Sequence, residues 1–268
     1  MHLQNRAFYE SFGAFRSNLL SIVGPKGRLE FYDGLLRARD ADGAVLFDGV
    51  EPKHYRAHLE EDVRSWSYMK FPWLRALGPE RGWYKVGPLA RVQNCDFIHT
   101  PLAEEARQAF LAAHGGRLTH APLAYHWARL IELLHAAEVI GELLADPDIL
   151  GSELVTSGER VGEGVGIIEA PRGTLIHHYR VDANDLVTMC NLIVSTTHNN
   201  QAMNEAITVV AHQHLDGHEP SEPLLNHLEV AIRAFDPCLS CATHAMGQMP
   251  LEVVVLDAAG HEVGRRSR

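Results

Sequence analysis

The sequence predicts a mainly α-helical fold with small antiparallel β-hairpins, which is an α+β architecture. Three patterns support this prediction: a long helical periodicity in mid-chain, β-rich runs joined by polar turns, and two shorter helical patterns before the C-terminus. The chain has 268 residues, of which 46% are hydrophobic and 22% charged. This composition is typical of a globular protein with one large core or two modest ones.

The first quarter of the chain predicts a hairpin followed by a helix. Apolar residues alternate along residues 28–49 on both sides of the turn Asp40–Gly43, as expected for two antiparallel strands. From Pro52 to Ser67 the apolar residues recur instead at three- and four-residue intervals, which predicts a helix whose buried face carries Tyr55, Leu59, Val63 and Trp66.

The clearest helix is predicted from Pro122 to Ala145, and Pro122 suits its first turn. The turn Asp182–Asp185 then joins two β-rich runs, and Asp236-Pro237 ends the last helical pattern. The elements predicted after the long helix are strands at 165–168, 174–181 and 186–194, helices at 201–214 and 223–234, and a terminal hairpin that starts at 251.

Charge and hydropathy exclude several classes of partner. The formal net charge of −10 argues against binding to nucleic acid or to an anionic membrane surface, because both are driven by Lys and Arg. The sequence contains no run of eighteen or more apolar residues, and its start does not have the pattern of a signal peptide. We therefore expect a cytoplasmic protein with no nucleic-acid partner and no membrane association.

Two of the four cysteines form a candidate metal-binding pair. Cys238 and Cys241 are three positions apart, so both thiolates can reach one zinc, iron, nickel or copper(I) ion. A structural zinc site needs a second close pair, which the sequence lacks, and Pro237 before the first cysteine disfavours a redox pair. Cys95 and Cys190 stand in apolar contexts and are expected to pack as small hydrophobic residues. Spacing alone predicts half of a metal site.

The tract Asp-Pro-Cys-Leu-Ser-Cys-Ala-Thr-His, residues 236–244, resembles the C-terminal metal-binding signature of nickel-iron hydrogenase large subunits. The resemblance is greatest to the cytoplasmic, NAD-reducing enzymes and covers essentially the whole chain. It implies the C-terminal portion of a hydrogenase large-subunit fold, without the N-terminal Cys-x-x-Cys pair and the acidic residue that the family places before Met1. Further blocks that resemble the family are Tyr84–Arg91, Glu169–Leu175, His198–Asn200 and Ala202–Asn204.

The resemblance implies three metal ligands in this tract. Cys238 matches the terminal nickel ligand, and Cys241 matches the cysteine that bridges nickel and iron. The iron of the family also carries cyanide and carbon monoxide. His244 matches a histidine that binds a separate hard cation, often Mg²⁺, and does not contact nickel.

The resemblance also implies residues that surround the metals without binding them. Arg172 matches the arginine whose guanidinium lies over the metals, and Pro171 precedes it in the cofactor pocket. Asp236 matches the carboxylate that orients this arginine. Together with Cys238, Arg172 and Asp236 are the predicted catalytic residues. Without the family, Arg172 is better explained as an ordinary surface arginine.

The implied function is that of the catalytic subunit in the reversible oxidation of dihydrogen. Because the chain contains no cysteine set for an iron-sulfur cluster, electrons would pass to an iron-sulfur small subunit and on to flavin- and NAD-binding diaphorase subunits. Residues 1–244 would form the large-subunit portion. Residues 245–268 would be an extension that a maturation endopeptidase removes after nickel insertion. The alternative for these residues is a hairpin that simply completes the fold.

Two alternative functions remain open at this point, and a further possibility is that the native polypeptide is longer and starts before Met1. One is an inactive hydrogenase-like subunit, similar to the quinone-site subunit of respiratory complex I, and both cysteines argue against it. The other is a scaffold protein that binds zinc through Cys238 and Cys241. Nickel and iron together, or zinc alone, would separate these hypotheses.

Overall fold

Strands dominate the first third of the chain, and helices dominate the part after residue 87. The computed structural model describes residues 5–215, 217, 219–239 and 251–267. The helices are α1 (Arg6–Ser11), α2 (Pro88–Asn94), α3 (Pro101–Ala113), α4 (Ala124–Leu144), α5 (Ser195–His198), α6 (Asn200–His214) and α7 (Glu222–Ala234). The strands are β1 (Asn18–Val23), β2 (Leu35–Arg39), β3 (Val45–Val50), β4 (Leu59–Asp62), β5 (Phe71–Leu74), β6 (Tyr84–Lys85), β7 (Glu163–Ala170), β8 (Gly173–Val181), β9 (Val187–Ile193), β10 (Glu252–Leu256) and β11 (Glu262–Ser267).

The strands of the described residues form four small sheets. The largest has the order β3-β2-β1-β6, in which β1 pairs antiparallel with β2 and parallel with β6. All residues of β1 are buried, as expected for a central strand with an apolar run. A second sheet, β7-β8-β9, is antiparallel, and the remaining two are the pairs β4-β5 and β10-β11. The predicted combination of helices with small, mostly antiparallel sheets is confirmed.

Two hydrophobic clusters stabilise this arrangement. The helical core lies among α2, α3, α4, α6 and α7, and its buried side chains include Leu89, Phe110, Tyr125, Val210 and Leu228. The sheet core lies against β1, β2, β6, β8 and β9, and its buried side chains include Leu20, Leu36, Tyr84, Ile176 and Ile193. The segment from β6 to α2 contributes to both clusters, so it links them.

Most helices and strands that were predicted from a clear hydrophobic periodicity are present in the structure. The predicted helix 122–145 is α4, and the predicted helices 201–214 and 223–234 are α6 and α7. The predicted strands in the second half are β7, β8 and β9, and the terminal hairpin is β10-β11. No helix within the described ranges is both long enough and apolar enough to cross a lipid bilayer.

The helix predicted from Pro52 to Ser67 is wrong. A 3₁₀ turn over Pro52–Ala57 is followed by β4, which pairs with β5. Leu59 is buried in this pair, whereas the side chains of Val63 and Trp66 are largely exposed. The apolar residues of this segment therefore do not form one buried helical face. Pairing with β5 determines the structure of the segment instead.

Two smaller expectations also need correction. The predicted first hairpin exists as β2-β3, but β2 begins at Leu35, so residues 28–34 belong to a loop. Cys190 is exposed on β9 and does not pack as a hydrophobic residue, because β9 turns that face toward solvent. Cys95 is buried, as expected.

Candidate metal centre

A tight turn carries Arg172. Strands β7 and β8 pair up to Ala170 and Gly173, so only Pro171 and Arg172 lie between them. Pro171 is exposed and Arg172 is partly buried. Because only two residues connect the strands, the sheet restricts the position of Arg172. The contacts that the turn makes with neighbouring segments restrict it further.

Arg91 of α2 holds this turn through hydrogen bonds to its backbone carbonyl groups. Its Nη1 donates to the carbonyl oxygen of Ala170 (2.8 Å), and its Nη2 donates to that of Pro171 (3.3 Å). The same guanidinium makes a two-pronged contact with Glu132 (2.7 and 2.6 Å) and a single one with Glu169 (2.9 Å). All three charged side chains are buried. Burial opposes ionisation of Arg91, but the two carboxylates raise its pKa, so the guanidinium stays charged.

The turn also packs tightly against the segment between β6 and α2. Gly87 has a φ of +93°, and a Cβ atom there would lie 2.8 Å from the carbonyl oxygen of Arg172. Gly173 has a φ of +140°, and its Cβ would lie 2.3 Å from Cγ2 of Val86. Both positions require glycine, because the two backbones approach too closely for a side chain.

The cysteine tract follows α7 through a left-handed residue. Asp236 has a φ of +53°, and its N–H donates to the carbonyl oxygen of Arg233 (3.0 Å). This conformation is unfavourable for a residue other than glycine, although Asp tolerates it better than most. It redirects the chain into Pro237 and Cys238, whose side chain is partly buried.

Two consecutive hydroxyl groups of α5 bring the turn and the tract together. Oγ of Ser195 donates to the carbonyl oxygen of Gly173 (2.8 Å). Oγ1 of the next residue, Thr196, accepts a hydrogen bond from the N–H of Cys238 (3.1 Å). Both residues are buried. Arg172 and Cys238, which are far apart in the sequence, therefore belong to one neighbourhood.

Arg172 and Asp236 are in direct contact. Nε of Arg172 donates to the backbone carbonyl oxygen of Asp236 (2.7 Å) and lies 3.4 Å from its carboxylate oxygen Oδ2. The terminal Nη1 and Nη2 groups take no part in this contact. A guanidinium oriented by one edge in this way can present its other edge to an anionic or polar group.

The structure thus brings together four of the predicted site residues, Pro171, Arg172, Asp236 and Cys238. The other two, Cys241 and His244, lie outside the described residues. Within the described ranges, no group of three or more His, Cys, Asp or Glu side chains could hold a metal ion. A thiol is nevertheless a ligand that suits a soft metal.

Comparison with known proteins decides the family. The family model described as nickel-dependent hydrogenase matches residues 31–244. The chain belongs to this hydrogenase family. Over its full length it is 47% identical to subunit beta of the NAD-reducing hydrogenase HoxS of Cupriavidus necator. Over 91% of its length it is 44% identical to an iron-sulfur subunit of the F420-non-reducing hydrogenase of Archaeoglobus profundus.

Solved hydrogenase structures have the same fold. A crystal structure of an NAD⁺-reducing [NiFe]-hydrogenase in the H₂-reduced state matches 91% of this chain with a TM-score of 0.86 and 55% identity. A [NiFeSe] hydrogenase from Desulfovibrio vulgaris Hildenborough matches with a TM-score of 0.62 at 21% identity, which shows the fold alone. The chain spans about half the length of these relatives. It covers 55% and 52% of the two curated proteins and 54% of the matched chain in the NAD⁺-reducing structure.

Two of the sequence blocks that resemble hydrogenases, Tyr84–Arg91 and His198–Asn200, are in direct contact. Tyr84 Oη lies 2.6 Å from Nδ1 of His198, and the N–H of Val86 donates to Oδ1 of Asn199 (2.9 Å). His198 is buried, and burial lowers its pKa to about 3, so its ring is neutral. These contacts place the segment after β6 against α5, next to the two hydroxyls that hold the turn and the tract.

Sequence reasoning missed the residues that support the site. Arg91 and Glu169 lie inside the blocks that resemble hydrogenases, but nothing in those blocks indicated that they form an ion pair. Glu132 did offer a signal, because a carboxylate within the apolar stretch Leu130–Leu134 is unusual unless it has a buried partner. Ser195 and Thr196 offered none, since hydroxyl residues at a helix start are common.

Proposed function

We propose that this chain is the portion of a nickel-iron hydrogenase large subunit that supplies two thiolate ligands to the metal centre, and that the enzyme oxidises dihydrogen reversibly. One observation carries the proposal: Ser195 and Thr196 hold the Arg172 turn and the Cys238 tract together. A fixed cation, a carboxylate and a thiol then occupy one neighbourhood in a member of the nickel-dependent hydrogenase family.

The donor set fits a nickel-iron centre. Cys238 and Cys241 would bind it as thiolates, and His244 would bind a separate Mg²⁺ ion. When bound, the centre with its cyanide and carbon monoxide ligands supplies the Lewis acidity and the redox capacity that oxidation of dihydrogen requires. Pro171 and Arg172 would line the pocket of the diatomic ligands, where the Nη groups of Arg172 can donate hydrogen bonds.

The protein residues contribute orientation, charge and proton transfer. Asp236 fixes the Arg172 guanidinium through Nε, so the cation does not need to reorganise during turnover. Because the turn with Arg172 and the tract with Cys238 are held together, we infer that the positive charge of Arg172 would favour the thiolate of Cys238. Sγ of Cys238 is then a suitable acceptor for the proton that dihydrogen releases. Arg172, Asp236 and Cys238 are the proposed catalytic residues.

The proposed partners follow from the family. Electrons would leave through an iron-sulfur small subunit. Because one relative is a subunit of an NAD-reducing hydrogenase, they would continue to flavin- and NAD-binding diaphorase subunits. We place the enzyme in the cytoplasm. The alternatives, an inactive hydrogenase-like protein or a zinc-binding scaffold, are not favoured by the high identity to hydrogenases along the whole chain.

We also propose that residues 245–268 are a maturation extension and that residues 1–244 form the large-subunit portion. The described part of this tail, residues 251–267, contacts the rest of the chain: Val253 of β10 packs on the helical core, and Arg266 of β11 lies 3.4 Å from Glu222 of α7. A maturation endopeptidase would therefore remove a segment that includes the hairpin β10-β11. Intact-mass measurement after nickel insertion would show whether the tail is lost.

Substitution of Arg172 tests the proposed catalytic role. In the complete enzyme, Arg172→Lys should lower hydrogen-dependent viologen reduction by about 10- to 100-fold, because lysine keeps the charge but loses the fork that Asp236 orients. The control Arg180→Lys changes an exposed arginine of β8 and should leave the rate unchanged. Equal rates for the wild type and Arg172→Lys, at equal metal content, would remove Arg172 from the mechanism.

A further inference from the structure

A buried ion cluster lies next to the turn that carries Arg172. It consists of the guanidinium of Arg91 on α2 and two carboxylates, those of Glu132 on α4 and Glu169 on β7. All three side chains are buried. Charged groups in a protein interior contribute little net stability compared with apolar side chains, so stability alone does not explain the cluster. Its hydrogen bonds indicate a role at the turn instead.

The Arg91 guanidinium uses all of its N–H groups in these contacts. Two donate to Glu132, one donates to Glu169, and two donate to the carbonyl oxygens of Ala170 and Pro171. A guanidinium carries five donors in a rigid planar fork, so none is left over. The orientation of this fork relative to its carboxylates therefore determines where the two carbonyl groups of the turn lie.

The carbonyl group of Pro171 belongs to the peptide unit that leads into Arg172. A peptide unit is planar, so the bond from Nη2 of Arg91 to this carbonyl oxygen (3.3 Å) also restricts the backbone nitrogen and Cα of Arg172. Near the end of the same side chain, Nε of Arg172 donates to the carbonyl oxygen of Asp236 (2.7 Å). The Arg172 side chain is thus held at its base through Arg91 and near its end by Asp236, and both anchors determine where its Nη groups point.

The two carboxylates of the cluster differ in what else holds them. Oε1 of Glu169 accepts hydrogen bonds from the N–H of Ile22 in β1 (3.0 Å) and from Oγ1 of Thr174 (2.8 Å), so Glu169 is held independently of Arg91. Among the described residues, the hydrogen bonds of the Glu132 side chain go to Arg91 alone. Glu132 therefore acts by orienting the Arg91 fork.

We propose that Glu132 is a positioning residue for Arg172 and acts through Arg91. The proposal rests on the hydrogenase function proposed above, in which Arg172 takes part in turnover. It adds a residue of the long helix α4, which lies outside the sequence blocks that resemble hydrogenases. A misplacement of about 1 Å in a catalytic group can lower a rate by about 100-fold, so the alignment that Glu132 gives to the Arg91 fork affects turnover.

The test compares Glu132→Gln with Glu138→Gln in the complete enzyme. Glutamine has nearly the same size as glutamate but offers one oxygen, so one prong of the contact with Arg91 is lost. We expect Glu132→Gln to lower kcat for hydrogen-dependent viologen reduction by about tenfold at unchanged nickel content. Glu138 is the matched control on the same helix, because it accepts the N–H groups of Leu102 and Ala103 at the start of α3 (3.0 and 2.9 Å). Glu138→Gln should leave kcat unchanged.

A double substitution shows whether Glu132 acts through Arg172. If it does, Glu132→Gln added to Arg172→Lys should lower kcat by less than about twofold further, because the alignment of Arg172 is already lost. A general effect on folding would instead multiply with the effect of Arg172→Lys. A second variant, Glu132→Asp, keeps the buried charge that balances Arg91 but is one methylene shorter, so it should still lower kcat by about threefold.

Hydrogen–deuterium exchange supplies a readout that does not depend on turnover. The backbone amides of residues 170–175 should exchange faster in both Glu132 variants than in the wild type, and at the wild-type rate in Glu138→Gln. Three results would overturn the proposal: multiplying effects in the double variant, equal losses of kcat in Glu132→Gln and Glu138→Gln, or unchanged exchange in both Glu132 variants. A wild-type enzyme without nickel and without activity would contradict the hydrogenase function instead, and the exchange rates would still decide whether Glu132 orients the turn.

Discussion

Lys85 is a buried lysine at the junction of the two cores. Its Nζ donates to the carbonyl oxygen of His120 (2.8 Å) and lies 3.9 Å from the centre of the Phe15 ring. Burial lowers the pKa of Lys85 to about 7. In the unfolded chain the same amine has its ordinary pKa, which is higher, so folding releases a proton above neutral pH.

The pKa of Lys85 predicts how stability depends on pH. Between pH 7 and the ordinary lysine pKa, the unfolded state binds more protons than the folded state, so stability rises with pH in this window. We expect a gain of about 2 kcal/mol in the free energy of unfolding between pH 7 and pH 9. Urea titrations of the wild type and of Lys85→Met at both pH values measure it. The variant should lose most of the gain, and an identical gain in both proteins would show that Lys85 is not its source.

Individual site residues differ in how far the sequence reveals them. Arg172 and Asp236 could be predicted only through resemblance to a family, because a loop arginine and an aspartate before proline are ordinary surface residues. Cys238 could be proposed from spacing alone. Ser195 and Thr196 could not be predicted, since their role comes from contacts with residues that are distant in the sequence.

At the level of elements, the site depends on a close approach between two turns. Gly87 faces the carbonyl oxygen of Arg172, and Gly173 faces Val86. Arg91 then ties the same turn to α2 and α4 through Glu132. The turn that carries Arg172 is therefore held by packing, by a buried ion pair and by Ser195, so that its position is set before any cofactor binds.

Alanine at Gly87 should destabilise the protein through this close approach. Gly43 has the same φ of +93°, but a Cβ atom built there would lie 3.7 Å from its nearest neighbour, so Gly43→Ala is a control for alanine at a positive φ without a close contact. We expect Gly87→Ala to lower the free energy of unfolding by about 1–3 kcal/mol more than Gly43→Ala does. Chemical denaturation of both variants checks this difference, and equal losses would mean that the turn can move away from Gly87.

The elements that could be predicted are those whose pattern is long or has a strong turn signal. The periodicity of α4 and the turn Asp182–Asp185 both led to correct assignments. The segment Pro52–Ser67 failed because its apolar spacing suits a helix, while its structure is decided by pairing with β5. Short strands such as β6 have no periodic signal, and their existence depends on a distant partner, in this case β1.

For the whole molecule, the fold supports the candidate centre from both cores. The turn with Arg172 connects β7 and β8 of the sheet β7-β8-β9, and the tract with Cys238 follows α7 of the helical core. The segment from β6 to α2 contributes to both cores and contacts the turn and α5. The fold class could be predicted from patterns, but this convergence could not, because it depends on contacts between segments far apart in the sequence.

The most direct test of the hydrogenase function is the nickel, iron and zinc content of the chain within its complete enzyme assembly, produced together with hydrogenase maturation proteins. Cys238→Ser removes a proposed ligand. Cys190→Ser is the control, because Cys190 is exposed on β9. We expect about one nickel and one iron per chain in the wild type and in Cys190→Ser, and loss of nickel in Cys238→Ser. Zinc alone in the wild type, or the same nickel content in all three proteins, would contradict the assignment.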